Sequence, residues 1–406
     1  MAKRTLDAFF KPSTTPPKRT KIEPISNTTA STPVTLNNVP DEDIKPPSQH
    51  PSYPIPIPQL PSHIAVGLEH ATPAKPPREI NNQPHLDLLH FQPYIPRATA
   101  NELFKFLRRE LPFYRVKYTA RRGDIETQIN TPRWTTVFGV DETSTFVQEH
   151  DNEPNSLILL ETKGKTPTPK AKYQCTPRPI PACLDLLRQQ VEAANTGADG
   201  KSPSYNFCLV NYYASGEDSI AFHSDDERFL GPEPNIASLS LGGEREFLMK
   251  HKPFVAGGNS KGAAGGSVRG AGVGIGPGVT AQVMPGPGCT GAIQASRTVS
   301  GGTLNSVSPV LSSSAGTVPL QQIRMSLGSG DMVVMRGATQ SNWLHSIPKR
   351  KGKAGEATRG RINITFRRAV VPGGTNNYYH YNVGTGEVHR WDDVAREMVL
   401  CDGKKT

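Results

Sequence analysis

With 406 residues, only 35% of them hydrophobic, and Gly (37) and Pro (38) both in excess, the chain has length for one to three domains but is too polar to fold throughout. Its net charge of +10 favours polyanionic partners, and its five cysteines (Cys175, Cys183, Cys208, Cys289 and Cys401) form no Cys-x-x-Cys pair, which argues against a cysteine zinc site or a disulfide framework. No apolar run approaches the ~20 residues of a membrane span and no signal peptide is read at the start, so a soluble intracellular protein, most simply a monomer, is expected.

Residues 1 to about 76 are rich in Pro, Ser, Thr and Lys, and "PSYPIPIPQLP" reads as polyproline-like, so this arm is expected to be disordered. Its opening, "MAKRTLDAFFKP", carries an apolar cluster within residues 3–10: Leu6, Phe9 and Phe10. The pattern resembles the peptide that docks into replication sliding clamps, with Lys3 where that peptide usually has Gln. Lys18, Arg19 and Lys21 form a basic cluster of the kind read by nuclear import, which makes the nucleus the expected location.

Folded sequence is expected from about residue 85. "RATANELFKFLRRELP" predicts a helix with Leu103, Phe104, Leu107 and Leu111 on its apolar side and Pro112 as its stop. "YRVKYTARRGDIETQINTPRWTTVFGVDE" reads as strands and turns. "IPACLDLLRQQVEAANTG" predicts a second helix with a Leu184, Leu187, Val191 stripe, closed near Gly197. "NFCLVNYY", "SLSLGGEREFLMKHK" and "GDMVVMRGATQSNWLHSIP" continue as strands. Between the last two, residues 256 to about 318 are Gly- and Ser-rich and read as a flexible insertion in a loop; their Gly-x-Gly repeats lack the strand-to-helix setting of a phosphate loop. "RINITFRR" closes the set, with Ile362, Ile364 and Phe366 on one face and Arg361, Asn363, Thr365 and Arg367 on the other; Arg368 beyond them has no assigned role. Residues 372–406 form an extension with room for a short hairpin and helix. Helices first and strands after predict an α+β, mainly β, domain over 85–371.

Chemistry concentrates in three places. In "SIAFHSDDERF", His223 and Asp225 are one residue apart and share a side if the stretch is extended. "SNWLHSIPKR" adds His345. Two histidines and one carboxylate make the facial triad of non-haem Fe(II) oxygenases, although either histidine taken singly is as readily a hydrogen-bonded core residue. The arginine face of 361–367 then needs an anion to hold.

In order, Asn211-x-Tyr213, His223-x-Asp225, His345 and Arg361-x-Asn363-x-Thr365-Phe366-Arg367 resemble the AlkB family of Fe(II)- and 2-oxoglutarate-dependent dioxygenases. "HSDDERFLGP" and "ASLSLGGEREFLMKHK" are most similar to its DNA-repair branch, in particular the eukaryotic double-stranded-DNA members. The resemblance covers roughly 85–255 and 319–371. It implies a double-stranded β-helix, a jelly roll, with N-terminal helices packed on the sheet. It implies Fe(II), held by His223, Asp225 and His345, with 2-oxoglutarate and dioxygen as cosubstrates. Arg367 matches the arginine that pairs with the far carboxylate of 2-oxoglutarate, and Arg361 the second basic residue, near the cosubstrate and iron. Asn211 and Tyr213 match hydrogen-bonding partners of 2-oxoglutarate; Asn363 and Thr365 either complete that lining or serve as ordinary interior hydrogen-bonding groups.

The implied reaction is oxidative removal of N-methyl groups from bases such as 1-methyladenine and 3-methylcytosine, releasing succinate and formaldehyde. A base in a duplex must be flipped out and stacked between flat groups. His223, Tyr173, Trp134 and Phe138 are the flat candidates, while Arg133 and Glu227 match positions near the base. The turn "TARRGD" (119–124) lies where such enzymes carry a duplex-probing hairpin; Arg121 and Arg122 suit phosphates, but an apolar wedge is not evident. The basic loop 348–361 suits backbone contact. Alkylated DNA is the first reading of the substrate, RNA with the same chemistry the second, and a catalytically silent nucleic-acid-binding protein the third.

Overall fold

The computed structural model describes residues 45–401 apart from 72, 74, 123–124, 150–156, 198–199, 254–319, 351–359, 381–382 and 384–385. The clamp-like stretch 3–10, the basic cluster 18–21, the insertion 256–318 and most of the basic loop 348–361 lie outside the described residues.

Elements are numbered in chain order. One sheet has seven strands in the order β1 (Arg78–Ile80), β2 (Leu88–Phe91), β13 (Met332–Met335), β10 (Ile236–Gly242), β15 (Arg361–Arg367), β8 (Phe207–Tyr213) and β5 (Trp134–Gly139). A second has four: β12 (Ile323–Leu327), β11 (Arg245–His251), β14 (Trp343–Ile347) and β9 (Ile220–His223). Every pairing in both is antiparallel. Three hairpins stand apart: β3–β4 (Lys117–Arg122, Ile125–Asn130), β6–β7 (Ser144–Gln148, Leu157–Glu161) and β16–β17 (His389–Asp392, Glu397–Leu400).

The two faces of the seven-stranded sheet have different partners. Alternation along β15 sends Ile362, Ile364 and Phe366 to a core shared with α1 (Ser62–Glu69), α2 (Arg97–Glu110) and α3 (Ala182–Ala194), through Leu68, Leu103 and Leu187. The other face meets the four-stranded sheet. Phe207, Leu209 and Val333 share that second core with Phe247, Met249 and Trp343. The arginine face of β15 points into this space, and all seven of its residues are buried.

Both predicted helices form, with local differences. In α2 the buried positions are Ala100, Leu103, Phe106 and Leu107, so Phe106 takes the place expected of Phe104. Leu111 already has an extended backbone, as a residue before Pro112 is biased to be. Arg108 and Arg109 occupy the last turn, where cations suit the helix dipole. A four-residue helix, α4 (Thr339–Asn342), precedes β14, and another, α5 (Asn376–Tyr379), follows β15 in the C-terminal extension.

The expectation of a disordered arm to residue 76 fails over its second half. Ser48 bridges Ile57, Ile57 is fully buried, and the Tyr53 hydroxyl donates to the Pro179 carbonyl at 2.6 Å. Proline lacks an N–H and suits no sheet interior, but polyproline-like chain can still pin Tyr53, Ile57 and Leu60 to a core without a ladder of its own. Ordered packing is therefore already present from residue 45, ahead of the expected 85.

Candidate active site

β9 and β14 pair so that His223 lies directly opposite His345. Asp225 follows two residues beyond the end of β9, in a loop instead of the expected strand, and its N–H donates to Gln340 Oε1 of α4 at 2.9 Å. Ligand atoms of His223, Asp225 and His345 all lie within 4.8 Å of one another. His223 Nε2 is 3.9 Å from Asp225 Oδ1, and His345 Nε2 is 3.7 Å from Asp225 Oδ2. The contact of His223 Nδ1 with the Ala221 carbonyl, 2.9 Å, places the ring proton there and leaves the Nε2 lone pair to bind a metal. His345 stacks on Phe247 with centroids 5.4 Å apart.

Electrostatics favour a cation. Burial pushes the His345 pKa down to about 3 and lowers that of His223 as well, so both rings are neutral, the form that binds metal. Burial alone would raise the Asp225 pKa, but the Arg367 guanidinium beside it leads the effects that outweigh burial and hold the carboxyl below its usual range. Two neutral imidazoles and one carboxylate fit Fe(II) with coordination positions left open.

The inner face of β15 carries the rest. Arg367 Nη2 is 3.0 Å from Asp225 Oδ1, and its Nη1 donates to the Tyr378 hydroxyl at 2.9 Å. Six residues earlier, about 20 Å of strand, Arg361 donates to Ser240 Oγ at 2.8 Å and sits 5.4 Å from the Tyr213 ring. Among the described residues, Arg361 Nε and Nη1 have no acceptor although the side chain is almost wholly buried. The expected order of the two arginines is thus reversed: Arg367 is at the metal end and Arg361 at the far end. Alternation puts both on one face but does not say which end meets the loop of Asp225. An unsatisfied, buried guanidinium beside a tyrosine fits a carboxylate of 2-oxoglutarate.

Asn211 Oδ1 accepts from Arg133 Nε at 3.2 Å. Asn363 Nδ2 donates to Ser238 Oγ (2.8 Å) and the Leu239 carbonyl (3.1 Å), and Thr365 to the Leu209 carbonyl (3.0 Å), so both serve the sheet itself. Glu227 reaches the site: one oxygen accepts from Tyr378, the other is buried with no partner among the described residues, and the side chain as a whole is 30% exposed.

Two aromatic candidates, Trp134 and Phe138, are not brought there. Trp134 pairs with Tyr212 in register and belongs to the helix-side core, 4.7 Å from the His389 ring. Phe138 lies on that same face against Tyr53. Tyr173 is buried and bonds Ser144 Oγ at 3.0 Å. In the β3–β4 hairpin the side chains of Arg121 and Arg122 are outside the described set, but Ile125, the first residue after the turn, is 70% exposed. It gives the hairpin an exposed apolar side chain, hidden in sequence because one isoleucine in a polar hairpin makes no pattern. Tyr378 and Gln340 were also missed; neither sits in a periodic stretch.

Two antiparallel sheets closing over such a donor set define a non-haem iron oxygenase. A family model described as the 2OG-Fe(II) oxygenase superfamily matches residues 87–367, and the chain belongs to that superfamily, whose chemistry uses Fe(II), 2-oxoglutarate and dioxygen. Curated relatives are AlkB proteins. The chain is 27% identical to the DNA oxidative demethylase ALKBH2 of Arabidopsis thaliana over 69% of its own length and 66% of the relative's, just under two thirds. It is 25% identical to the human protein of that name, over 59% and 73%. To the alpha-ketoglutarate-dependent dioxygenase alkB homolog 3 of Bos taurus it is 28% identical, over 50% and 49%. A solved structure titled "The structure of OsALKBH1" aligns with 72% of this chain and all of its own at 15% identity, with a TM-score of 0.33.

Proposed function

We propose that the protein is a DNA oxidative demethylase that reverses N-methylation of bases such as 1-methyladenine and 3-methylcytosine. The observation that carries this is the half-buried Glu227 carboxylate, one oxygen unpartnered among the described residues, beside half-buried His223 and buried Asp225 and His345. Both lesions are cationic bases with an exocyclic N–H, which a carboxylate complements in charge and hydrogen bonding. The names of the relatives support DNA as the substrate.

Bound Fe(II), with 2-oxoglutarate and dioxygen, supplies the oxidant: one oxygen atom enters the N-methyl group and the other leaves in succinate as carbon dioxide is released. The hydroxymethyl product then breaks its C–N bond: the electron pair returns to the ring nitrogen, the hydroxyl proton passes to water, and formaldehyde and the neutral repaired base are released. In this reading His223, Asp225 and His345 hold the metal, and Arg367 keeps Asp225 ionised. Arg361 binds the distal carboxylate of 2-oxoglutarate, with Tyr213 beside it. Asn211, fixed by Arg133, lines the same face. In the same reading Ile125, exposed near the hairpin tip, contacts the duplex around a flipped base.

Succinate and formaldehyde release on methylated single-stranded DNA, duplex DNA and RNA is the test. Turnover on DNA supports the reading, preference for RNA moves the substrate, and no turnover on any of them overturns it. The nuclear location and a sliding-clamp partner are part of the proposal and rest on residues 1–44. Changing Phe9 and Phe10 together to Ala is expected to abolish capture by a sliding clamp and leave turnover unchanged; unaltered capture removes the clamp from the proposal.

A further inference from the structure

The family match ends at residue 367, yet the C-terminal extension returns a side chain to the site. Tyr378, on α5, is buried against Phe207 and Phe229, with ring centroids 5.3 and 5.7 Å away. Its hydroxyl accepts from Arg367 Nη1 at 2.9 Å and donates to Glu227 Oε1 in a short hydrogen bond. Arg367 and Glu227 themselves stay 3.9 Å apart at their nearest atoms, too far for a direct hydrogen bond. One phenol therefore closes a chain that runs from Glu227 through Tyr378 and Arg367 to the metal ligand Asp225.

The extension is fastened where this matters. Gly373 N–H donates to Asp141 Oδ2 at 3.0 Å, and Gln174 N–H donates to Asn376 Oδ1 at 3.3 Å. The neighbouring Tyr379 is buried too, but its hydroxyl goes to the Gly139 carbonyl at 2.7 Å, away from the site. Two adjacent tyrosines thus divide the work: one ties the extension to the sheet, the other reaches the reaction side.

We infer that Tyr378 is a positioning residue for substrate recognition, holding one oxygen of Glu227 so that the other faces the methylated base. The inference rests on the demethylase reading and deepens it. Without the hydroxyl, Glu227 can turn to Arg367 and pair with it, which draws the carboxylate away from the base and competes with Asp225 for the same guanidinium.

Tyr378→Phe removes the hydroxyl and keeps the ring in its packing. Binding of methylated and unmethylated oligonucleotides to iron-free protein, read by fluorescence anisotropy, measures recognition apart from turnover. The expected result is a loss of about tenfold in the preference for the methylated strand, the size of one hydrogen bond to a charged group. In the iron-loaded enzyme, KM for that strand should rise by the same factor with kcat less affected. Glu227→Gln should lose the same preference, and the double variant should lose no more, because both changes cut one link. Tyr379→Phe should lower the melting temperature and keep the preference. Full preference retained in Tyr378→Phe, additive losses in the double variant, or an equal loss in Tyr379→Phe each overturns the positioning role. A wild-type protein with no preference for the methylated strand overturns the demethylase reading and this inference with it.

Discussion

Arg361 and Arg367 lie on one face of one strand, both nearly sealed from solvent, and their surroundings are opposite. Arg367 is matched by the protein. Burial works against its charge, but Asp225, Tyr378 and Glu227 outweigh that and raise its pKa. Arg361 is left short: burial prevails and pushes its pKa down to about 10, with two of its nitrogens unpartnered among the described residues. A buried cation without an anion is costly, and a protein keeps one where a ligand supplies the missing charge. The first arginine belongs to the architecture of the metal site. The second waits for something that arrives.

The sharpest way to break this contrast is to remove the acid. Asp225→Ala should abolish Fe(II) binding and turnover, and it strands Arg367 in the interior, a cost of about 3–5 kcal/mol in denaturant unfolding. Activity that survives would refute the metal assignment. Arg367→Met should cost about as much, by stranding Asp225 instead. Arg361→Met should do the reverse in protein free of cosubstrate, leaving stability unchanged or higher, while 2-oxoglutarate affinity falls by about a hundredfold for want of a bidentate partner. Equal destabilisation by the two methionine changes would show that Arg361 has a protein counter-ion after all.

Ligand linkage gives a smaller, cleaner reading of the same difference. At a concentration one hundred times its dissociation constant, 2-oxoglutarate should stabilise the iron-loaded protein by about 2.7 kcal/mol, seen as a rise in melting temperature. Arg361→Met should show almost none of that rise at the same concentration. A full rise in the variant would place the cosubstrate elsewhere.

The sequence showed the chemistry more clearly than the geometry. The alternation of 361–367 separates core from site without ambiguity, because a strand has only two faces. His223, Asp225 and His345 were legible as a set because their residue types and order match a known metal chemistry. The direction of the site along β15 was not legible: it depends on where the Asp225 loop folds back, and nothing in the strand encodes that. The proline-rich stretch around Tyr53 and Ile57 was misread because its composition argues against regular structure, and burial does not require regular structure. Tyr378 lay beyond pattern reading altogether. It sits in a four-residue helix and bonds Glu227 across 151 residues of chain, a contact that only the folded molecule reveals.

A third buried group extends the comparison and carries the smallest expected effect. His90, on β2, is buried and neither ring nitrogen has a partner among the described residues. Unlike arginine, histidine can shed its proton. Burial, helped by Arg78, lowers its pKa from the ordinary 6.5. The native state therefore binds fewer protons than the unfolded chain, and stability rises with pH through this window. The contribution is fully present above about 6.5, the unfolded value, and is lost as pH falls towards the lower native one. Unfolding midpoints in urea at about pH 7.5 and about pH 5.5 should differ less in His90→Leu than in the wild type. An unchanged pH dependence would mean that His90 has an acceptor in solution.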